Sequence, residues 1–186
     1  TWQYRTNGKF GEHGGYNPWM ADGLWKPHFE GQPAYLTPAI INYSNGPCGF
    51  AYNPGTALSE NYRNYFFVTE FPGKNIRAFR TKPEGAGFKM VDEHVAHHGL
   101  MTTGINFGPD GALYLADWGN NGWAPHEKGR IMKLDSPRAI DRPLRIQTRK
   151  LLGDGFAMRD DTELSRLLAH ADQRVRLESQ FELVKR

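Results

Sequence analysis

Between residues 39 and 150 the apolar positions come in short runs that alternate with polar ones and stop at Gly, Pro, Asn or Asp. Leu113 and Leu115 alternate with Tyr114 and Ala116, the two-residue period of a half-buried strand. The runs recur. Gly49-Phe50-Ala51-Tyr52-Asn53-Pro54-Gly55 resembles Gly104-Ile105-Asn106-Phe107-Gly108-Pro109-Asp110-Gly111. Phe66-Phe67-Val68-Thr69-Glu70-Phe71 resembles Leu113-Tyr114-Leu115-Ala116-Asp117-Trp118, and Asn75-Ile76-Arg77-Ala78-Phe79 resembles Gly129-Arg130-Ile131-Met132-Lys133-Leu134. Each copy reads as strand, turn, strand, longer loop, strand. A looser fourth strand is expected near residues 88–95 and again near 144–150.

Repeats of this length, built from short strands and Gly/Pro turns, predict propeller blades. One blade cannot bury both of its faces and needs neighbours. Two blades in one chain therefore predict missing partners and an internal piece of a larger protein. The turn Pro109-Asp110-Gly111 has turn chemistry of its own: Pro presets φ, Asp bonds nearby backbone and Gly accepts positive φ.

After Gly153 and Gly155 the period changes. Asp160-Asp161-Thr162-Glu163 predicts a helix start, its carboxylates suited to the positive end of the helix dipole. Leu164, Leu167 and Leu168 fall on one helical face. Asp172 is the predicted cap of a second helix, with Val175, Leu177, Phe181 and Val184 as its apolar pattern. Arg174, Arg176, Glu178, Glu182, Lys185 and Arg186 read as a solvated face. The fold class is thus mainly β, a partial propeller followed by a helical hairpin. The divisions are an aromatic lead-in over 1–38, blades over 39–153 and the start of a helical repeat over 154–186.

Composition narrows the function classes. The 186 residues carry 23 Lys+Arg against 20 Asp+Glu, scattered rather than gathered into the basic stripe that nucleic acid requires. Mean hydropathy is −0.65 and no run reaches the length of a membrane helix. The one cysteine, Cys48, can form neither an internal disulfide nor a paired-cysteine zinc or haem site. The lead-in holds Trp2, Tyr4, Phe10, Tyr16, Trp19, Trp25, Phe29 and Tyr35. A loop so aromatic reads either as a connection packed over the domain or as part of a binding rim.

Several of these segments together resemble one family. They are Trp2-Gln3-Tyr4-Arg5, Glu30-Gly31-Gln32-Pro33-Ala34-Tyr35, Gly46-Pro47-Cys48-Gly49-Phe50, Pro54-Gly55-Thr56-Ala57-Leu58, Gly108-Pro109-Asp110-Gly111-Ala112-Leu113-Tyr114 and the tail Asp172-Gln173-Arg174-Val175-Arg176. The family is the PVC-type membrane-bound dehydrogenase-like, haem-binding proteins, in which a sugar-dehydrogenase-like propeller precedes HEAT repeats and a cytochrome c domain. The resemblance implies a six-bladed propeller of which this chain holds about two blades, followed by a HEAT-like hairpin. It implies a periplasmic or secreted protein, oxidation of a sugar or polyol, and electron transfer to a c-type haem elsewhere in the parent protein. PQQ with calcium is the cofactor pair of the related soluble sugar dehydrogenases. There a lysine and two arginines hold the quinone. The matching positions here fall near Pro72, with Lys74 close by, and at Met101 and Thr103. The rival reading is a non-catalytic propeller that binds carbohydrate or protein, with HEAT repeats as scaffold.

The candidate ligand-binding residues lie at strand ends and in the loops between second and third strands. They are Glu70, Lys74, Asp117, Trp118, Asn120, Asn121 and Trp123, with His97 from a connecting segment. Glu70 and Asp117 close equivalent strands. Each reads either as a ligand for sugar hydroxyls or a cation, or as a loop-fixing carboxylate that accepts backbone N–H bonds. Trp118 and Trp123 read either as stacking platforms for a sugar ring or as plugs. No catalytic residue is assigned.

Overall fold

The computed structural model describes residues 46–85, 87–119, 122 and 124–186. Strands β1 (Pro47–Tyr52), β2 (Phe66–Glu70), β3 (Asn75–Glu84) and β4 (Gly87–His98) form an antiparallel sheet in chain order. A second antiparallel sheet holds β5 (Thr102–Phe107), β6 (Leu113–Asp117) and β7 (Arg130–Leu134), also in chain order. Helices α1 (Pro143–Asp154), α2 (Asp161–Leu167) and α3 (Gln173–Val184) follow.

The internal repeat survives as register. Pro47 pairs with Glu70 and Thr102 with Asp117, and both first strands bulge at the next step, before Gly49 and before Gly104. In both sheets the residue after the carboxylate turns back on the residue before the first strand: Phe71 N–H donates to the Gly46 carbonyl at 3.0 Å, and Trp118 N–H to that of Met101 at 2.8 Å.

The two sheets bury one face against each other. Ala51, Phe67, Ile76 and Ala78 of the first meet Phe107, Leu113 and Leu115 of the second in one core. Each such side chain contributes about 1.5–3 kcal/mol relative to an exposed position, less for the alanines. Closeness is set by Gly49, where a Cβ would stand 2.7 Å from Cγ2 of Ile105. The opposite face of the first sheet carries a stack of rings, with Phe66 5.5 Å from Phe50 and 5.4 Å from Phe79.

The predicted propeller is not what the chain forms. The described residues make two small open sheets of four and three strands, with no ring and no axis. Local alternation specifies strands and turns, whereas closure depends on contacts between distant segments that alternation does not encode. The strand expected near 144–150 is also replaced, by α1. Pro143 occupies its first turn, and the buried positions are Arg145, Thr148 and Leu151, a spacing of three that belongs to a helix. Arg145 anchors that helix: its Nε donates to the Asp110 carbonyl at 2.6 Å and its Nη2 to Asp135 at 2.8 Å.

The tail forms the expected helices but not a HEAT array. Asp160 caps α2 by accepting from Glu163 N–H at 2.7 Å, and Asp172 caps α3 by accepting from Arg174 N–H at 3.0 Å. Leu151, Phe156, Leu164, Leu167 and Val175 form a small second core. A solenoid stacks hairpin on hairpin; here the turn before α3 and its first residues instead dock on the loops of the sheets.

That docking centres on Asp172, which is wholly buried. Its Oδ2 accepts from Thr56 Oγ1 at 2.6 Å and its two oxygens take the Arg174 fork at 2.9 and 3.0 Å. Arg174 Nη1 donates onward to the Gly108 carbonyl at 2.7 Å, and Gln173 N–H to that of Pro54 at 2.7 Å. The hairpin thereby grips a loop from each sheet. Gly55 permits this contact: its φ is +120°, and a Cβ there would lie 2.3 Å from the Ala171 carbonyl oxygen. Arg174, read from sequence as part of a solvated face, is a connector.

Candidate functional site

Glu70 and Asp117 end equivalent strands, and the structure pairs each with an arginine of the next strand. Glu70 is 2% exposed; its carboxylate accepts from Arg77 Nε at 2.9 Å and from Asn75 Nδ2 at 2.8 Å. Asp117 is 4% exposed; Oδ1 accepts from Met101 N–H at 3.0 Å, and Oδ2 takes Arg130 Nε at 2.9 Å and Nη2 at 2.6 Å. In each case the arginine comes from the next strand of the same sheet. A carboxylate buried this deeply needs such pairing, because an unpaired buried charge is costly. Both acids tie their strand end to a neighbouring strand.

Trp118 sits between the two strand ends. Its ring stands edge-on to Phe71 with centroids 6.3 Å apart, and edge-on to His126 at 4.9 Å. Its Nε1 donates to the Gly122 carbonyl at 2.7 Å, which closes the loop after β6. His126 accepts Lys128 N–H at Nδ1, 2.9 Å away. Phe71 follows Glu70 as Trp118 follows Asp117, so the aromatic contact joins the two sheets at one rim.

The remaining candidates are dispersed. Lys74 stands in the turn between β2 and β3 with φ +54°, and its carbonyl accepts from Gly99 N–H at 2.8 Å. His97 lies on β4 across from Ile76, and His98, its neighbour, across from Asn75, with Nδ1 2.8 Å from Asn75 Oδ1. Successive strand residues point to opposite faces, so these histidines do not converge. Asn120, Asn121 and Trp123 lie outside the described residues, as does the whole aromatic lead-in.

The quinone cofactor does not fit these residues. The two positions that would carry arginines hold Met101, whose N–H is spent on Asp117, and Thr103, whose hydroxyl donates to the Ala116 carbonyl at 3.1 Å. Neither offers the planar fork that holds a carboxylate in two bonds. Among the described residues no three or more His, Cys, Asp or Glu side chains group closely enough to hold a metal ion. The expected sugar or polyol dehydrogenase activity and the carbohydrate- or protein-binding propeller alternative both required loops converging on a propeller axis. Two open sheets supply none. Partnership with further blades and HEAT repeats has no support in the described residues. No helix among those residues is long and apolar enough to cross a membrane.

Sequence reading missed three features. One is the Asp172–Arg174 clamp, whose residues look like an ordinary cap and surface charge. A second is His170 in the turn before α3. A third is the outward direction of Leu177, Phe181 and Val184. The buried face of α3 runs through Val175 and Ser179, both 0% exposed, while those three stand 38%, 52% and 79% exposed. The spacing of 177, 181 and 184 was visible in the sequence; which face met the protein was not.

Comparison with known proteins adds little to this geometry. No family model matches the chain, and no curated protein does. A glucose dehydrogenase-type oxidoreductase from Thermus thermophilus superposes with a TM-score of 0.33 at 20% identity, over 38% of this chain and 22% of that one. A second glucose dehydrogenase structure gives 0.39 at 24% identity, over 51% of this chain and 25% of the other. The matched stretches thus span about a quarter of those proteins or less, and scores this low carry nothing about activity. The resemblance to the PVC-type haem-binding family is not upheld, and the haem assigned to the parent protein loses its basis with it.

Proposed function

We propose that this chain is an interaction module that pairs with a second copy of itself through the outer face of α3. One observation carries the reading: Leu177, Phe181 and Val184 form an exposed apolar stripe on a helix whose opposite side packs into the second core, against α1 and α2. At about 100° per residue these three positions fall within one narrow arc. They stand opposite Val175 and Ser179, which face the protein.

Charge indicates the occupant. Glu178 and Lys185 flank the stripe on one side, and both are exposed. When two copies of α3 meet antiparallel about Phe181, Leu177 of one faces Val184 of the other. Glu178 then faces Lys185, at each end of the contact. Flanking opposite charges set partner and direction in helix pairs. Among the described residues Lys185 reaches Glu182, at 3.4 Å.

The contact is short, so weak association is expected, with a Kd on the order of 100 μM, as for small transient interfaces. Sedimentation equilibrium of the chain tests it. The wild type should show a concentration-dependent dimer and Phe181→Glu a monomer. Glu178→Lys and Lys185→Glu should each weaken the dimer, and the two together in one chain should restore it. A wild type that stays monomeric at millimolar concentration, or a double variant no better than either single one, overturns the reading.

A further inference from the structure

The turn between α2 and α3 holds one histidine in a setting that favours its neutral form. His170 Nδ1 accepts from Asp172 N–H at 3.0 Å, so it carries no proton, and the ring's proton is on Nε2. Nε2 is enclosed and has no hydrogen-bond partner among the described residues. The carbonyl of the same residue accepts from Arg176 Nη1 at 2.6 Å. The residue whose N–H the ring accepts is Asp172, which caps α3 and fastens it to Thr56.

From this geometry we propose that His170 is an acid-sensitive latch: when its ring takes a second proton, the cap at Asp172 is pushed apart and α3 lets go of the sheets. The second proton must go on Nδ1, where it meets the Asp172 N–H donor to donor. The hydrogen bond is lost and two donors oppose each other. Asp172 cannot shift alone, because Thr56, Arg174 and the Gln173–Pro54 bond all depend on its position.

Among the described residues the charges acting on the ring are those of Asp172 and Arg176. Asp172 attracts a charged imidazole and Arg176 repels it. The packed loop of residues 53–58 brings Asn53, Pro54, Gly55, Thr56, Ala57 and Leu58, none of them titratable. The turn gripped by Arg174 brings Asp110, which is held by Lys133 at 2.7 Å. Burial and Arg176 outweigh Asp172 and hold the ring's pKa below the ordinary histidine value. The unfolded chain therefore binds the proton more readily. Stability is present in full above the ordinary histidine range and is lost as pH falls through it, until the folded ring also charges. The device is independent of what covers the outer face of α3.

Amide hydrogen exchange followed by NMR tests the latch, with rates corrected for the intrinsic pH dependence. The Gln173 and Arg174 amides should lose protection about tenfold or more as pH falls from 7 to 5, in step with titration of the His170 ring. His170→Asn keeps an acceptor for the Asp172 N–H and cannot charge, so its protection should stay flat. Protection unchanged in the wild type while the ring titrates overturns the proposal, as does an equal loss in His170→Asn. If that variant does not fold, the wild-type comparison of ring titration with amide protection still decides.

Discussion

Thr56 and Asp172, 116 residues apart in the chain, share a buried hydrogen bond of 2.6 Å in which the threonine hydroxyl donates to a carboxylate oxygen. The same carboxylate caps α3 and holds the Arg174 fork. One side chain thus ends a helix, neutralises a guanidinium and joins the helical tail to the first sheet.

Removing either partner has graded consequences. Thr56→Val should cost about 1.5–3 kcal/mol, the value of one hydrogen bond to a charged group. Asp172→Ala should cost about 3–5 kcal/mol, because it also strips the cap and leaves Arg174 without its counter-charge. Urea unfolding measures both, and hydrogen exchange should show the loss first in α3.

Gly55→Ala should be among the more damaging small substitutions. The new methyl would meet the Ala171 carbonyl, and the backbone conformation there disfavours any side chain. We expect a loss of about 2 kcal/mol or more. The Gln173 amide should lose protection while the core amides of β2 and β6 keep theirs. Equal loss throughout would show that the loop's role is not local.

The paired carboxylates should behave as structural groups. Glu70→Gln and Asp117→Asn keep the shape and remove the charge that Arg77 and Arg130 face, and each should cost about 1–3 kcal/mol in urea unfolding. Asp117→Ala, which also abandons the Met101 N–H, should cost more than Asp117→Asn. If either neutral isostere leaves stability unchanged, the ion pair at that strand end contributes nothing.

The β5–β6 turn should weaken in acid. Burial alone would raise the Asp110 pKa, but Lys133, the Ala112 N–H and the Tyr114 hydroxyl together bring it below the usual aspartate value. A depressed carboxyl contributes stability that is present above the unfolded value, about 3.9, and is lost as pH falls through the folded one. The wild type should therefore lose stability more steeply below about pH 4 than Asp110→Asn does. Chemical unfolding at a series of pH values compares the two.

What was legible in the sequence follows from what each signal encodes. Alternation at Leu113 and Leu115 and the carboxylate at each strand end located six strands, and the looser one expected near 88–95 is β4, because those signals are local. The segment 144–150 misled, since Leu144, Ile146 and the charges between them alternate as a strand would. Pro143 at a first helical turn was the contrary signal. Capping by Asp160 and Asp172 was legible because a cap acts within three residues. The partner of Asp172 was not: Thr56 is brought to it only by the folded path of the chain. Of the candidate site, Asp117 accepts the Met101 backbone N–H, whereas Glu70 accepts from the side chains of Asn75 and Arg77. Their arginine partners, set by cross-strand register, were not foreseen.

The clamp also orders events in time. Residues 172–174 leave the ribosome only after both sheets that they hold together have been made. The sheets must first find each other through their shared core, closely packed at Gly49 and Ile105, and the hairpin then locks them. Substitutions in the clamp should therefore raise the unfolding rate and leave the folding rate nearly unchanged, so the tail sets how long the native state lasts rather than how fast it is reached.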